Sequence, residues 1–190
     1  ININSYINEF DLLQDNPNNS SSIRITSPKA IINPTKNDIE IFDSSIQIIN
    51  HNEKEVEVKS GNSTLNNSTN LIRVFNNVNI HLINTNDYFI STKSFNWDLS
   101  NSNIVLDSPL EINFDKTIIF SSGGSYDIQS SLLLINNNIF NRTVNNSIGL
   151  GKYQIEILSD IGKWYKTNNI FEFTSKNKQV ETTINILNVK

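Results

Sequence analysis

The stretch that decides the fold is Ile104–Ile112, which reads IVLDSPLEI. Apolar residues recur at a spacing of two on both sides of the polar step Asp107-Ser108-Pro109. A period of two is typical of a strand with one face on a core and the other in solvent. Asp, Ser and Pro favour turns. The stretch therefore predicts two short strands joined by a polar turn.

This strand–turn–strand pattern recurs along the chain with a period of about thirty residues. The copies can be aligned on a serine, at spacings of 33, 31 and 30 residues: Ser27, Ser60, Ser91 and Ser121. A fifth, looser copy begins at Ser159. The polar turns of the first four copies are Asp43-Ser44, Asn76-Asn77, Asp107-Ser108 and Asn136-Asn137. One unit cannot bury its apolar face alone, so neighbouring units must stack or pair.

The composition agrees with an all-β fold. The 190 residues include 34 Asn and 30 Ile but a single alanine, Ala30. Ile packs well on a pleated sheet, and Asn favours turns. We therefore expect one antiparallel β domain over residues 1–190. Tyr6–Leu13 is the nearest helix candidate, with a frayed strand as the alternative. Gly123-Gly124 predicts a bulge or tight bend. Segment 141–152 is the best candidate for a long loop.

Several function classes are disfavoured. The net charge is −4 and there is no long basic run, which argues against nucleic acid as a partner. Cysteine is absent, and His51 and His81 are the only histidines. Four aspartates, one per turn, lack the close spacing of a calcium loop: Asp98, Asp107, Asp115 and Asp127. No catalytic motif is present, so we expect no metal, no cofactor and no enzyme activity.

The run Val78–Phe140 resembles the periplasmic lipopolysaccharide-transport family, most closely its inner-membrane-anchored component C. The sister component A shares the same repeat. The resemblance lies in a threonine-led strand, an aromatic-Asp pair, a Ser-Pro-apolar step and a Gly-x-Tyr-Asp-like pair. The matching segments are 77–80, 92–98, 104–112 and 124–127, followed by Leu134. They cover about a third of the chain, and the internal repeat extends the likeness further.

The resemblance implies an open, twisted antiparallel β-jelly-roll of about five repeats, with a groove that holds the acyl chains of lipid A. It implies transfer of lipopolysaccharide, without catalysis, between an inner-membrane ABC transporter and a periplasmic bridge protein. The partners would dock by strand addition at the edges of the sheet. The location implied is the periplasm, with a tether to the inner membrane in a segment outside this sequence.

Large apolar residues of the repeats are the candidates for lining that groove, on the expectation that their side chains point inward. The predicted lipid-binding residues are Ile41, Ile48, Val74, Ile80, Phe89, Phe95, Trp97, Leu106, Ile112, Phe114, Ile119, Tyr126, Leu134 and Ile139. The alternative is that the same residues simply pack together as the core of a closed sandwich.

The last strand, Val180 to Val189, alternates apolar residues and contains no proline. Such a strand is a suitable template for strand addition by a partner. The predicted edge residues are Val180, Thr182, Ile184, Ile186 and Val189. The alternative is an ordinary edge strand paired within the fold.

Two other functions remain open from the sequence. A structural or adhesin protein built as a β-solenoid would have parallel coils and no acyl cavity. A carbohydrate-binding β-sandwich would need an exposed aromatic platform, for which Trp97-Asp98 and Trp164-Tyr165 are the candidates.

Overall fold

A computed structural model describes residues 4–16, 21–83, 87–147, 151–176 and 178–187. These residues form strands and connections, with no helix among them. None of the described segments is therefore a helix that would cross a membrane. The strands are β1 (Ser5–Asn16), β2 (Ser21–Asn33), β3 (Asp38–Asn50), β4 (Glu53–Asn66), β5 (Leu71–Leu82), β6 (Tyr88–Asp98), β7 (Asn103–Leu106), β8 (Leu110–Phe114), β9 (Thr117–Ser121), β10 (Gly123–Asp127), β11 (Leu132–Ser147), β12 (Gly151–Tyr165), β13 (Ile170–Thr174) and β14 (Glu181–Leu187).

All pairings between the described strands are antiparallel. The main path runs β1-β2-β3-β4-β5-β6-β7-β10-β11-β12-β13. A second path leaves β6 through β8 and β9, rejoins at β11, and ends with β14 on β12. The sheet is thus folded into two layers, and the all-β jelly-roll predicted from the sequence is confirmed. Parallel solenoid coils are not present in the described residues.

Each long strand contributes one half to each layer. The half of β6 at Phe89–Thr92 pairs with β8, whereas Asn96 and Trp97 pair with β7. The first half of β12 pairs with β14, and its second half pairs with β13. We name the two layers the β8 layer and the β7 layer after these strands. At the C-terminal end each layer therefore has its own short edge strand, β14 or β13, whereas β1 is a single long edge.

The long strands bend where they pass from one layer to the other. Three of the four predicted polar turns lie inside strands, with positive φ at Asp43, Asn76, Asn77 and Asn137. Asn and Asp tolerate this left-handed conformation better than other residues with side chains. The register shifts at two of these positions, and such bulges bend a strand without ending it. Only Asp107-Ser108 separates two strands, β7 and β8.

The serine of the repeat lies on the inside of this bend. Ser44 Oγ lies 2.7 Å from both Ser60 Oγ and Ser63 Oγ. Ser121 Oγ lies 2.8 Å from the Gly123 carbonyl oxygen and 2.9 Å from that of Asn136. The Ser121 hydroxyl thus donates to backbone carbonyl groups at the bend, whereas the hydroxyls of Ser44, Ser60 and Ser63 bond to one another.

In the third copy the serine predicted from the repeat, Ser91, is the wrong one. Ser94, not Ser91, occupies the bend, where its Oγ lies 3.0 Å from Ser108 Oγ. Ser91 is exposed on the outside of β6. The error arises because the bulge opposite Lys93 changes the register between Phe75 and Val78.

Three local predictions are corrected or refined. Tyr6–Leu13 is part of strand β1 rather than a helix. The long loop predicted at 141–152 is instead the end of β11 and the start of β12, with residues 148–150 outside the described part. Gly123-Gly124 starts β10, and at Gly124 an added Cβ would lie 2.4 Å from the Leu134 carbonyl oxygen.

Candidate functional site

The space between the two layers is lined by rows of side chains that the strand register defines. In the β8 layer one row runs across six strands through Ile90, Ile112, Ile119, Asn141, Ile157 and Thr182. The next row runs through Phe114, Thr117, Thr143, Ile155 and Ile184. Directly paired residues of antiparallel strands point to the same face. These rows therefore form one continuous inner face.

Most predicted lipid-binding residues do point between the layers. Those that are buried there are Ile41, Ile48, Val74, Ile80, Phe95, Trp97, Leu106, Ile112, Ile119, Tyr126 and Ile139. Phe114 also faces inward and is partly buried against this cluster. In the region of these residues the two layers touch, so the inner face is sealed from solvent. We call this region the sealed part of the roll.

Phe89 and Leu134 are corrections, because both point away from the space between the layers. Phe89 is 50% exposed and stacks on His81 with 4.5 Å between ring centroids, while its neighbours Tyr88 and Ile90 are buried. Leu134 lies between the buried Leu133 and Ile135. Both residues belong to unbroken apolar runs, in which the spacing of two gives no indication of which face is inward.

Near β14 the inner face is open to solvent. Ile184 pairs with Ile155 and is 61% exposed, and Ile186 pairs with Tyr153 and is 59% exposed. Tyr153, Ile155 and Ile157 are half-buried. We call these five residues the open end. A contiguous exposed apolar patch of this kind commonly marks a binding surface.

Tyr153, Ile155 and Ile157 are not among the site residues predicted from the sequence. Their alternation with Gln154 and Glu156 predicts a strand but does not give its place in the roll. Ile184 and Ile186 were predicted as partner-edge residues, and their side chains lie on the inner face. Thr182 shares that face, Val180 precedes β14, and Val189 lies outside the described residues.

A polar cluster joins the two layers on the side opposite the bend, which we call the mouth. Glu55 of the β8 layer has a side chain only 4% exposed. Tyr126 Oη donates a hydrogen bond to Glu55 Oε1, and Ser131 Oγ donates a second at 2.6 Å. On Glu55 Oε2, Asn50 Nδ2 donates at 3.1 Å, and Lys166 Nζ lies 3.7 Å away. We call these residues the Glu55 cluster.

The cluster holds Glu55 as a carboxylate. Burial raises the pKa of the Glu55 carboxyl, but hydrogen bonds from Ser131, Tyr126 and Asn50, together with the Lys166 ammonium, outweigh it and leave the pKa below its ordinary value. Burial, and then the adjacent Glu55 charge, raise the pKa of Tyr126. The pair is thus one charged acceptor and one neutral donor.

An aromatic cluster lies at the mouth between the Glu55 cluster and the open end. Tyr88 of the β8 layer packs against Trp164 of the β7 layer and against Phe114, with ring centroids 4.4 and 4.5 Å apart. Tyr88 Oη donates to Asn169 Oδ1 at 2.5 Å, and Trp164 Nε1 donates to the same oxygen at 3.2 Å. Phe171 stacks on Phe114 at 5.6 Å.

The other candidate sites find little support in the geometry. Trp97 and Trp164 are buried, so neither provides an exposed platform for a sugar. In the described ranges no three or more His, Asp or Glu residues gather as they would around a metal ion. β14 pairs with β12 on one side only, and among the described strands its other edge is free.

Comparison with known proteins gives one family match. The family model described as "Lipopolysaccharide-assembly, LptC-related" matches residues 1–146. No curated protein matches the chain. Among solved structures, the chain is similar to the crystal structure of LptH, described as the LptA homologous periplasmic component of the lipopolysaccharide transport device from Pseudomonas aeruginosa. That match has a TM-score of 0.47 and 9% identity, and it covers 63% of this chain and 84% of the other.

Proposed function

Because the chain belongs to the LptC-related family of lipopolysaccharide-assembly proteins, we propose that it carries the acyl chains of lipopolysaccharide on the inner face of its roll. Its role lies in lipopolysaccharide transport, and it is a transport component rather than an enzyme. The finer steps proposed are binding of lipid A and its transfer onward in the periplasm.

The observation that carries this proposal is the continuous inner face that begins at the open end. An acyl chain lying along Tyr153, Ile155 and Ile184 meets apolar side chains that water now covers. Each methylene buried there contributes about 0.8 kcal/mol. Contact with a few methylenes on each of several chains is therefore enough for strong binding without any new polar contact.

The proposed partners would dock at the strand edges. We propose that the free edge of β14 accepts a strand from a periplasmic bridge protein, and that the membrane subunits of an ABC transporter dock at the other end, with an inner-membrane tether holding the domain nearby. An open edge of this kind is a template for strand addition. β14 contains no proline that would interrupt the added ladder.

We expect docking and lipid binding to be separable by mutation. Thr183→Pro should weaken partner docking, because proline has no backbone N–H to donate to a ladder of strands. Thr183→Ser is the matched control at the same position. Binding of a purified bridge protein, measured by biolayer interferometry, checks this. Equal docking by the proline and serine variants would show that the partner uses another edge.

Photocrosslinking to purified lipopolysaccharide tests the lipid proposal. A photoreactive amino acid at Ile155 or Ile184 should crosslink, because both side chains lie on the open inner face. The matched controls are Glu156 and Thr183, their sequence neighbours and a paired couple on the opposite face. Crosslinking at the controls alone, or at none of the four positions in folded protein, would refute acyl binding at this face.

A further inference from the structure

Glu55 is unusual in its position. Among the described residues it is the only acidic or basic one that is buried. Its partners Tyr126 and Ser131 are 71 and 76 positions away in the chain and belong to the other layer. The contact therefore joins the layers directly, on the side where no strand passes from one layer to the other.

A β-bulge aims the Glu55 side chain at this contact. In the pairing of β3 with β4, Ile48 lies opposite Val56 and Ile49 lies opposite Lys54, so Glu55 is the extra residue. Both Glu55 and Val56 are consequently buried, although they are adjacent in a strand. Bulges are frequent where a side chain must be re-aimed. Without it, strict alternation would turn Glu55 away from the mouth.

A charged contact suits a joint that opens. Burial of the Glu55 carboxylate carries a desolvation cost that offsets part of its attraction to Lys166, whose side chain is 29% exposed. When the layers separate, water hydrates Glu55 and recovers that cost. An apolar contact at the same position would instead expose hydrocarbon to water on opening. The bend on the opposite side, with its Asn, Asp and Ser residues, is where the layers stay joined.

We propose that the Glu55 cluster is a latch, which must open before an acyl chain passes from the open end into the sealed part of the roll. This inference rests on the proposed function, since it assigns a gate to the same groove. A chain advancing from Ile184 first meets the aromatic cluster and then the Glu55 cluster. The open end is a resting position outside the gate, and the sealed part is filled only while the layers are apart.

A reversible crosslink between the two layers tests the latch. The chain contains no cysteine, so the reagent reacts only with the thiols introduced for the experiment. Glu53→Cys and Gln129→Cys place one thiol on each side of the mouth, at exposed positions flanking the latch. A thiol-cleavable bifunctional reagent then ties the layers together. Photocrosslinking to lipopolysaccharide is read at Ile184 in the open end and at Ile112 in the sealed part, before and after cleavage.

If the Glu55 cluster is a latch, the tied protein should crosslink normally at Ile184 but about tenfold less at Ile112. A tenfold decrease corresponds to an increase of about 1.4 kcal/mol in the free energy of separating the layers. Cleavage should restore the Ile112 signal. Equal crosslinking at Ile112 in tied and cleaved protein would overturn the latch and leave the proposed function intact. No crosslinking at Ile184 in cleaved protein would remove the proposed function, and the latch with it.

A second variant tests the carboxylate itself. Glu55→Gln keeps the shape but loses the charge that Lys166 and Asn50 face. It should raise the rate of crosslinking at Ile112 by about tenfold. The hydrogen bonds that join the layers at Glu55 lose their charged acceptor and weaken, so the layers separate more often. Spin labels at positions 53 and 129 should report a larger separation in this variant than in the unaltered cluster. Unchanged distances together with an unchanged Ile112 rate would contradict the latch.

Discussion

Replacing the two exposed isoleucines of β14 tests the open end quantitatively. Fully burying an isoleucine side chain contributes about 2 kcal/mol. Ile184 is 61% exposed and Ile186 is 59% exposed. An acyl chain that covers this remaining surface gains about 1.2 kcal/mol from each residue. The double variant Ile184→Ser/Ile186→Ser should therefore lose about 2.4 kcal/mol of binding, which is about a fifty-fold increase in Kd.

The measurement is titration of each variant with lipopolysaccharide by isothermal calorimetry, beside denaturant unfolding. The matched control is Thr183→Ser/Asn185→Ser, which changes the opposite face of the same strand. The control should bind as tightly as the unaltered protein. A Kd change of less than about threefold in the isoleucine variant would refute the reasoning, since the surface worth about 2.4 kcal/mol would not be contacting lipid. An equal loss in the control would show that β14 as a whole, not its inner face, is needed.

Three further predictions concern the fold. Gly124→Ala should lower the free energy of unfolding by about 1–3 kcal/mol, because the added Cβ would lie 2.4 Å from the Leu134 carbonyl oxygen. Urea unfolding measures this loss, with Ser125→Ala as the control. Equal stability of the two variants would contradict the close approach. Ile90→Ala should lower the free energy of unfolding by about 3 kcal/mol and Phe89→Ala should lower it clearly less, because Ile90 is buried and Phe89 is half exposed. If chemical unfolding gave the reverse order, the opposite face of β6 would be the buried one. The folded pKa of Glu55 lies below its ordinary value of 4.5, so its carboxylate contributes stability that is complete above that pH and is lost as the pH falls through the lower folded value. The stability difference between the protein and Glu55→Gln should therefore shrink on acidification below about pH 4.5, and a difference that grows instead would contradict the assignment.

The strands could be predicted because alternation is a local property. Leu110–Phe114 and Tyr153–Ile157 show it clearly, and both are strands in the structure. The inward face could not be assigned where the apolar run is unbroken, as at Tyr88–Ile90 and Leu132–Ile135. In those runs only pairing with neighbouring strands decides which side chains are buried.

The bends and the latch depend on contacts that the sequence does not display. Asn76-Asn77 reads as the end of a strand, yet partners on both sides keep the strand paired through the bulge. Glu55 precedes the alternating Val56-Glu57-Val58 and reads as a solvated charge on the outer face. Its burial follows from the bulge and from residues more than seventy positions away, which no local pattern indicates.

The two ends of the roll differ, and this difference decides which layer a docked neighbour would extend. β1 is one long strand, but at the other end β14 extends the β8 layer and β13 extends the β7 layer separately. A strand added to β14 lengthens the β8 layer alone, with the row that ends in Thr143, Ile155 and Ile184 carried on into the neighbour. If the chain carries lipid as proposed, lipid crossing that junction would travel along a one-sided shelf rather than through a tunnel, and its polar headgroup would stay in water throughout the passage.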